Sequence, residues 1–265
     1  MVGNVYFRWF KQQSKLSVIK LLLMSVYDQL IAPGKKLAVL VDPDKPTDSE
    51  IIALAQKAEN ANVDFFFVGG SLLTNDNLDS CIKLLNAHSK IPVVLFPGNS
   101  LQLSKKADAF LFLSLISGRN PEMLIGRHVI AAPYLKLSGL EVISTGYMLV
   151  DSGKPTTVSY MSNSIPIPSD KNDVALCTAM AGEMLGMKLI FLDAGSGADR
   201  PVPESMIKAV KGSINVPLII GGGLKTPDMA VNAAKAGADV IVIGNVLEKQ
   251  PEMLDAFAKA VHSQS

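Results

Sequence analysis

At five places in this chain a short apolar run ends in a carboxylate, a hydroxyl or paired glycines, and each combination can hold a phosphate or a metal ion. Val41-Asp42-Pro43-Asp44-Lys45 ends in carboxylates. Mg²⁺ is commonly held by one or two carboxylates together with substrate phosphate oxygens. Asp42 is therefore a candidate ligand, with Asp44 farther into the turn, unless the Asp-Pro pair merely ends a strand. Val68-Gly69-Gly70-Ser71 permits close backbone approach and offers the Ser71 hydroxyl to the same metal or phosphate. Phe191-Leu192-Asp193-Ala194-Gly195-Ser196-Gly197 joins a carboxylate that accepts hydrogen bonds from hydroxyls to N–H groups suited to a phosphate or a polyol. Ile219-Ile220-Gly221-Gly222-Gly223 and Val240-Ile241-Val242-Ile243-Gly244-Asn245 each run through a strand into glycine and then a helical pattern. A (β/α)8 barrel grips phosphate in this way after its seventh and eighth strands. The chemistry indicated is the handling of a phosphorylated small molecule.

Other residues are open to two readings or argue against particular chemistries. Arg119 and Asn120 follow another strand end. The Arg119 fork matches a second phosphate or forms a surface ion pair, and Asn120 joins it or caps the next helix. His88, His128 and His262 fall in helical patterns, against a histidine metal cluster or a catalytic triad. Lys188 enters its strand at the N-terminal end, the wrong end for a Schiff base. Cys81 and Cys177 each sit in an apolar helical pattern and read as inert core thiols suited to a reducing cytoplasm.

The elements that must position these residues alternate as in a parallel α/β barrel. Strands are expected over 37–41, 64–68, 92–96, 109–113, 141–149, 188–192, 217–220 and 240–243. Helices are expected over 48–60, 75–87, 120–130, 170–185, 203–210, 227–236 and 251–261. Between the third and fourth strands lies only Pro97 to Asp108, too short for a barrel helix and two loops, so the third helix should be shortened or missing. The stretch Val150–Pro168 should be an irregular, functional loop at the C-terminal face.

A length of 265 residues suits one barrel, which needs about 250. The expected organisation is an N-terminal extension with a leading helix over 1–35 and a single TIM-like barrel over 36–265. Val5 to Leu23 mixes aromatic, basic and apolar residues without a small-residue cleavage site, and reads as a mis-assigned start ahead of Met24 or a loosely docked helix. With 48% hydrophobic and 18% charged residues, many strands must be buried and an apolar ligand cavity is expected. No apolar run approaches the roughly 18 residues of a spanning helix. A net charge of +1 without basic blocks excludes an electrostatic footprint for nucleic acid.

Taken in order, Asp42-Pro43-Asp44-Lys45, Gly69-Gly70-Ser71, Asp193 to Gly197, Gly221-Gly222-Gly223 and Gly244-Asn245 resemble the geranylgeranylglyceryl phosphate synthases and the related PcrB prenyltransferases, from about Lys36 to Ala260. The resemblance implies a modified barrel lacking its third helix. It implies transfer of a long prenyl chain from its diphosphate to the 3-hydroxyl of sn-glycerol 1-phosphate, the first ether bond of an ether lipid. Asp42 and Ser71 would bind Mg²⁺. Phe191 to Gly197, Gly222, Gly223, Gly244 and Asn245 would bind the glycerol phosphate, with Asp193 orienting its hydroxyl or taking its proton. The thinned flank beside strands three and four would hold the tail, and dimers or larger homo-oligomers are implied. Where the family form reads Tyr-Leu-Glu, this chain has Phe191, Leu192 and Asp193, which removes a hydroxyl and shortens the carboxylate by a methylene. Two other readings compete: a metal-free sugar-phosphate isomerase using Asp42 with Asp151, and a non-catalytic isoprenoid-phosphate-binding protein.

Overall fold

The computed structural model describes residues 24–99 and 102–264. Phe65-Phe66-Phe67-Val68 is apolar and buried at every position, the pattern of a parallel strand covered on both faces. The eight strands are β1 (Lys36–Val41), β2 (Phe65–Val68), β3 (Val93–Leu95), β4 (Ala109–Leu115), β5 (Glu141–Leu149), β6 (Leu189–Asp193), β7 (Leu218–Gly221) and β8 (Val240–Ile243). They close into a barrel in chain order, and β8 returns to β1 with Lys36 opposite Val240 and Val39 opposite Ile243. The fold is the expected (β/α)8 type.

Strand parity decides what each residue touches. On β6, Ile190 and Leu192 belong to the core between barrel and helices, together with Ala175, Ala179, Met206 and Val210 of the helices Asn172–Met184 and Glu204–Lys211. Their neighbours Phe191 and Asp193 turn the other way, into the barrel mouth.

Between β3 and β4 no helix is present among the described residues. The buried amide of Gln102 takes over part of its work. Its Nε2 donates to the Gly70 carbonyl at 2.8 Å, and its Oε1 accepts from the Gly98 N–H at 2.9 Å. Two other segments depart from expectation. The helix over 120–130 is a π-helical turn, Glu122–Gly126, that continues as Arg127–Ser138 straight through Pro133. Burial of Ala131 and Leu135 against the core outweighs the proline's preference to stop a helix. Nor is Val150–Pro168 structureless: it contains a helix, Thr157–Ser162, at whose start the Ser159 Oγ accepts from the Thr156 N–H at 3.0 Å, and Val150 bridges Ile167 in parallel.

The chain divides into two units, Met1–Ala32 and Pro33–Ser265. In the first, the described helix Val26–Ile31 is capped by Ser25, whose Oγ accepts from the Asp28 N–H at 3.0 Å. The stretch Val5 to Leu23, and with it the question of a start at Met24, lies outside the described residues.

Aspartates just before three even-numbered strands latch the closed end of the barrel. Asp64 accepts from the Leu37 N–H, Asp108 from the Val93 N–H and Asp239 from the Leu218 N–H, each at 2.8 Å. Asp239 also receives the Lys211 ammonium at 2.6 Å. Asp239→Ala leaves both donors without their acceptor and should lower stability by about 1–3 kcal/mol. The check is a reduced urea midpoint at unchanged m-value.

Candidate active site

The C-terminal ends of the strands surround a cavity of about 690 Å³. Asp42, Ser71, Phe191, Asp193, Gly195, Ser196, Gly197, Gly222, Gly223, Gly244 and Asn245 all line it. Leu192 and Ala194 do not. The period of two that brings Phe191 and Asp193 inward sends Leu192 outward, and Ala194 lies in the same outer core.

Asp193 is buried, and both its oxygens are engaged. Oδ2 accepts from the Tyr147 hydroxyl at 2.5 Å, and Oδ1 accepts from the Gly195 N–H at 2.7 Å. Burial pushes its carboxyl above the ordinary value, against the opposing pull of the bonds from Tyr147 and Gly195. The Tyr147 phenol is raised well above its usual value, by burial first and then by the adjoining carboxylate, so it remains a donor at neutral pH.

Beside this carboxylate the glycines are required by geometry. Gly222 has φ +79°, and a Cβ on it would stand 2.6 Å from both Asp193 Oδ1 and Gly195 N. Gly223, at φ +70°, is closed off in the same way by the Arg200 carbonyl. Ser196 and the Asn245 amide hold each other at 3.1–3.2 Å, tying the loop after β6 to the first residue of the helix Asn245–Lys249. Backbone at this density of glycine can approach a phosphate closely.

On the β1 and β2 side, the Asp42 carboxylate comes up against the turn that carries Ser71: its Oδ2 would stand 3.5 Å from a Cβ on Gly70. Lys45 lies 3.5 Å from Asp42 and 2.9 Å from Glu248, and all three line the cavity. One carboxylate and one hydroxyl beside a phosphate pocket fit Mg²⁺, which completes its shell with water and substrate oxygens. Among the described residues, no group of three or more His, Cys, Asp and Glu is placed to cage a metal. Asp44 has a different task. Despite a desolvation that works the other way, N–H and hydroxyl donors from Thr74 and Asn75 hold its carboxyl below the usual range, and so it anchors the loop after Ser71.

Across the barrel the lining turns apolar. Phe96, Phe110, Phe112, Leu115, Met123 and Ala131 extend the cavity along the flank that lacks a helix. Phe96 stacks on Phe191 at 5.1 Å, and Tyr147 meets Phe191 edge-on at 5.5 Å, so an aromatic cluster lines the cavity between the two ends.

The structure does not bring Arg119 or Asn120 to the cavity. Arg119 folds back on its own turn and donates to the Gly118 carbonyl at 2.7 Å. The Asn120 amide reaches the Ser162 carbonyl at 2.8 Å, while its oxygen accepts from the Glu122 N–H at the start of the π-helical turn. Asp151 does not line the cavity either; its carboxylate accepts from the Gly153 N–H at 3.3 Å, which removes the partner that the isomerase reading required. Cys81 is a core thiol pushed up to about 12 by burial, but Cys177 is exposed, because Ala175 and Ala179 take the inner face of its helix. Two residues that matter were not picked out in the sequence: Tyr147 and Gln102. Tyr147 could have been found by parity, since it sits two residues from Thr145 and from Leu149 on the inward face of β5.

A closed parallel barrel, with glycine-lined ends to β6, β7 and β8 around a buried carboxylate and an apolar extension of the same cavity, defines a (β/α)8 protein of the type whose mouth is shaped for an anion. The chain belongs to the PcrB family, which it matches over residues 33–261. It is 56% identical over 229 residues to the geranylgeranylglyceryl phosphate synthase of Chitinophaga pinensis, covering 86% of this chain and 91% of that protein. It is 54% identical over 234 residues to that of Spirosoma linguale, covering 88% and 94%. The crystal structure of (S)-3-O-geranylgeranylglyceryl phosphate synthase from Thermoplasma acidophilum, in complex with its substrate sn-glycerol-1-phosphate, superposes with a TM-score of 0.86 at 34% identity, covering 91% of this chain and all of that one.

Gly222→Ala combines a left-handed backbone, costing about 1–2 kcal/mol for any other residue, with a Cβ that displaces Asp193. It should weaken binding of a phosphate monoester by about tenfold or more, as measured by calorimetry.

Proposed function

We propose that this chain is a Mg²⁺-dependent prenyltransferase that moves a geranylgeranyl or similar long prenyl group from its diphosphate to the 3-hydroxyl of sn-glycerol 1-phosphate. The product carries the first ether bond of an ether lipid. One observation supports this above others: a single cavity joins a glycine-lined anion pocket around Asp193 to an apolar flank lined by Phe110, Phe112, Leu115 and Met123. The names of the relatives point the same way.

In this reading the backbone around Gly197, Gly222, Gly223 and Gly244, with Ser196 and Asn245, holds the phosphate of the acceptor. Asp193 accepts a hydrogen bond from the 3-hydroxyl and takes its proton as oxygen bonds to the allylic C1, while the C1–O bond breaks and the diphosphate leaves with the electron pair. Asp42 and Ser71 would hold Mg²⁺, which would supply positive charge to offset that building on the departing diphosphate. Phe96, Phe112 and Met123 cover the tail and exclude water from the reacting carbon.

We place the enzyme in the cytoplasm as a homo-oligomer with at most peripheral membrane contact for product delivery. Among the described residues no helix is long and apolar enough to cross a membrane. Ile125, Val129, Tyr134 and Leu137 form an exposed apolar series that supports self-association.

The test is incubation with labelled sn-glycerol 1-phosphate and geranylgeranyl diphosphate, with Mg²⁺ or EDTA, followed by organic extraction. Label should enter the organic phase only with Mg²⁺. Asp42→Asn should lose this turnover by about 100-fold or more, while calorimetry still registers glycerol phosphate; full activity in the variant would remove Asp42 from the metal site. The sign of the Asp193 shift sets the pH dependence. A carboxyl raised by burial is protonated over more of the acid range, so kcat/KM should fall on an acid limb lying above the ordinary carboxylate value of 3.8. Asp193→Asn should abolish that limb along with most of the rate.

A further inference from the structure

Tyr147 is a titratable group buried at the heart of the cavity, and the reaction as written does not use it. Its ring is fixed between Phe96, at 5.9 Å, and Phe191, at 5.5 Å. The hydroxyl bond recorded for it runs to Asp193 Oδ2 at 2.5 Å. A tyrosine kept only for packing gains nothing from that oxygen, since phenylalanine fills the same space without a polar atom to satisfy.

The bond has a geometric consequence. A carboxylate offers about four lone-pair directions. The Gly195 N–H takes one on Oδ1, and the Tyr147 hydroxyl takes one on Oδ2. The two donors come from different strand ends, β6 and β5, and they pin both oxygens, which fixes the plane of the group and leaves its remaining lone pairs in set directions. Asp193 has one rotatable bond beyond Cβ, so losing either donor frees the carboxylate to turn.

We propose that Tyr147 is a positioning residue for prenyl transfer, its hydroxyl clamping Asp193 so that a free lone pair faces the acceptor hydroxyl. This rests on the reading of Asp193 as the group that receives the acceptor's proton. The clamp also acts on charge. A donated hydrogen bond favours the ionised carboxylate, and Tyr147 thereby offsets part of the burial that pushes Asp193 toward protonation. Tyr147 itself stays protonated, so it donates over the whole working range.

Tyr147→Phe tests this by removing one oxygen while keeping the ring between Phe96 and Phe191. With Mg²⁺, sn-glycerol 1-phosphate and geranylgeranyl diphosphate, kcat should fall about 10- to 100-fold, the effect of losing a hydrogen bond to a charged group. The acid limb of kcat/KM should move to higher pH, and the KM for the prenyl diphosphate should hold. Fluorotyrosine incorporated at position 147 keeps the fold and strengthens the donor, so there the limb should move to lower pH. A limb that stays in place in both proteins, or a loss uniform across pH, overturns the proposal. Asp193→Asn and the wild type tell the two levels apart. If Asp193→Asn keeps full activity and its acid limb, the assignment of Asp193 has failed; if the wild type makes no ether with any donor, the prenyltransferase reading has failed.

Discussion

Everything at the barrel mouth is arranged around one costly group, the buried carboxylate of Asp193. An ionised carboxylate removed from water is tolerated only with donors on its oxygens, and here they come from Tyr147 and the Gly195 N–H. Those donors in turn dictate the surrounding sequence. Gly195, whose N–H donates to Asp193, sits at φ +89° with Thr156 where a Cβ would stand, and Gly222 must lack a Cβ because the carboxylate occupies that space. The glycines that suit an anion and the carboxylate that suits a hydroxyl are therefore one constraint seen from two sides.

The second constraint is the connection between β3 and β4, in which the described residues form no helix. A barrel with a bare flank exposes apolar strand residues to water, a loss that a closed (β/α)8 shell avoids. This chain puts the gap beside Phe110, Phe112 and Leu115, which line the cavity and offer an apolar wall suited to a ligand with a hydrocarbon chain. Part of the mechanical work of the helix passes to Gln102, whose amide joins the turns after β2 and β3.

Much of this was legible in the sequence, and what was not has a physical reason. Most strands announced themselves as short buried apolar runs, and glycine or aspartate at several of their ends marked the mouth. That the third helix would be shortened or missing followed from the length of the connection alone. Side-chain direction was harder. Leu192 and Ala194 entered the expected site with their neighbours, because a motif read as a string ignores the alternation that sends every second residue to the opposite face. Arg119 and Asn120 looked like phosphate ligands by residue type, yet the turn after β4 has carbonyls of its own to satisfy, and these two side chains satisfy or extend it. Tyr147 is the instructive omission. The family resemblance placed a hydroxyl at position 191, where this chain has Phe191. In the structure a hydroxyl reaches Asp193 from Tyr147, paired with Phe191 across the β5–β6 register. A contact between strands remote in sequence cannot be read from either strand alone.

The polar ties at the mouth share a pattern that explains why several candidate residues turned out to be braces. Lys45 joins the turn after β1 to Glu248 on the helix after β8, bridging the seam where the barrel closes. Its ammonium is held charged: desolvation works against it, but Glu248 first and then Asp42 raise its pKa. Asp44 ties the turn after β1 to the loop after β2, Gln102 ties that loop to the one after β3, Asn120 ties the loop after β4 to the one after β5, and Ser196 ties the loop after β6 to the residue after β8. Loops left to move would have to be ordered when a ligand binds, at an entropic cost of order 1–2 kcal/mol for each residue fixed. Lacing them pairwise fixes them during folding instead, so binding energy remains for holding the acceptor and the departing group in line. Polar residues just past strand ends therefore serve in two ways: Asp44 and Asn120 only hold the rim still, while Lys45, Ser196 and Asn245 hold it and line the cavity as well.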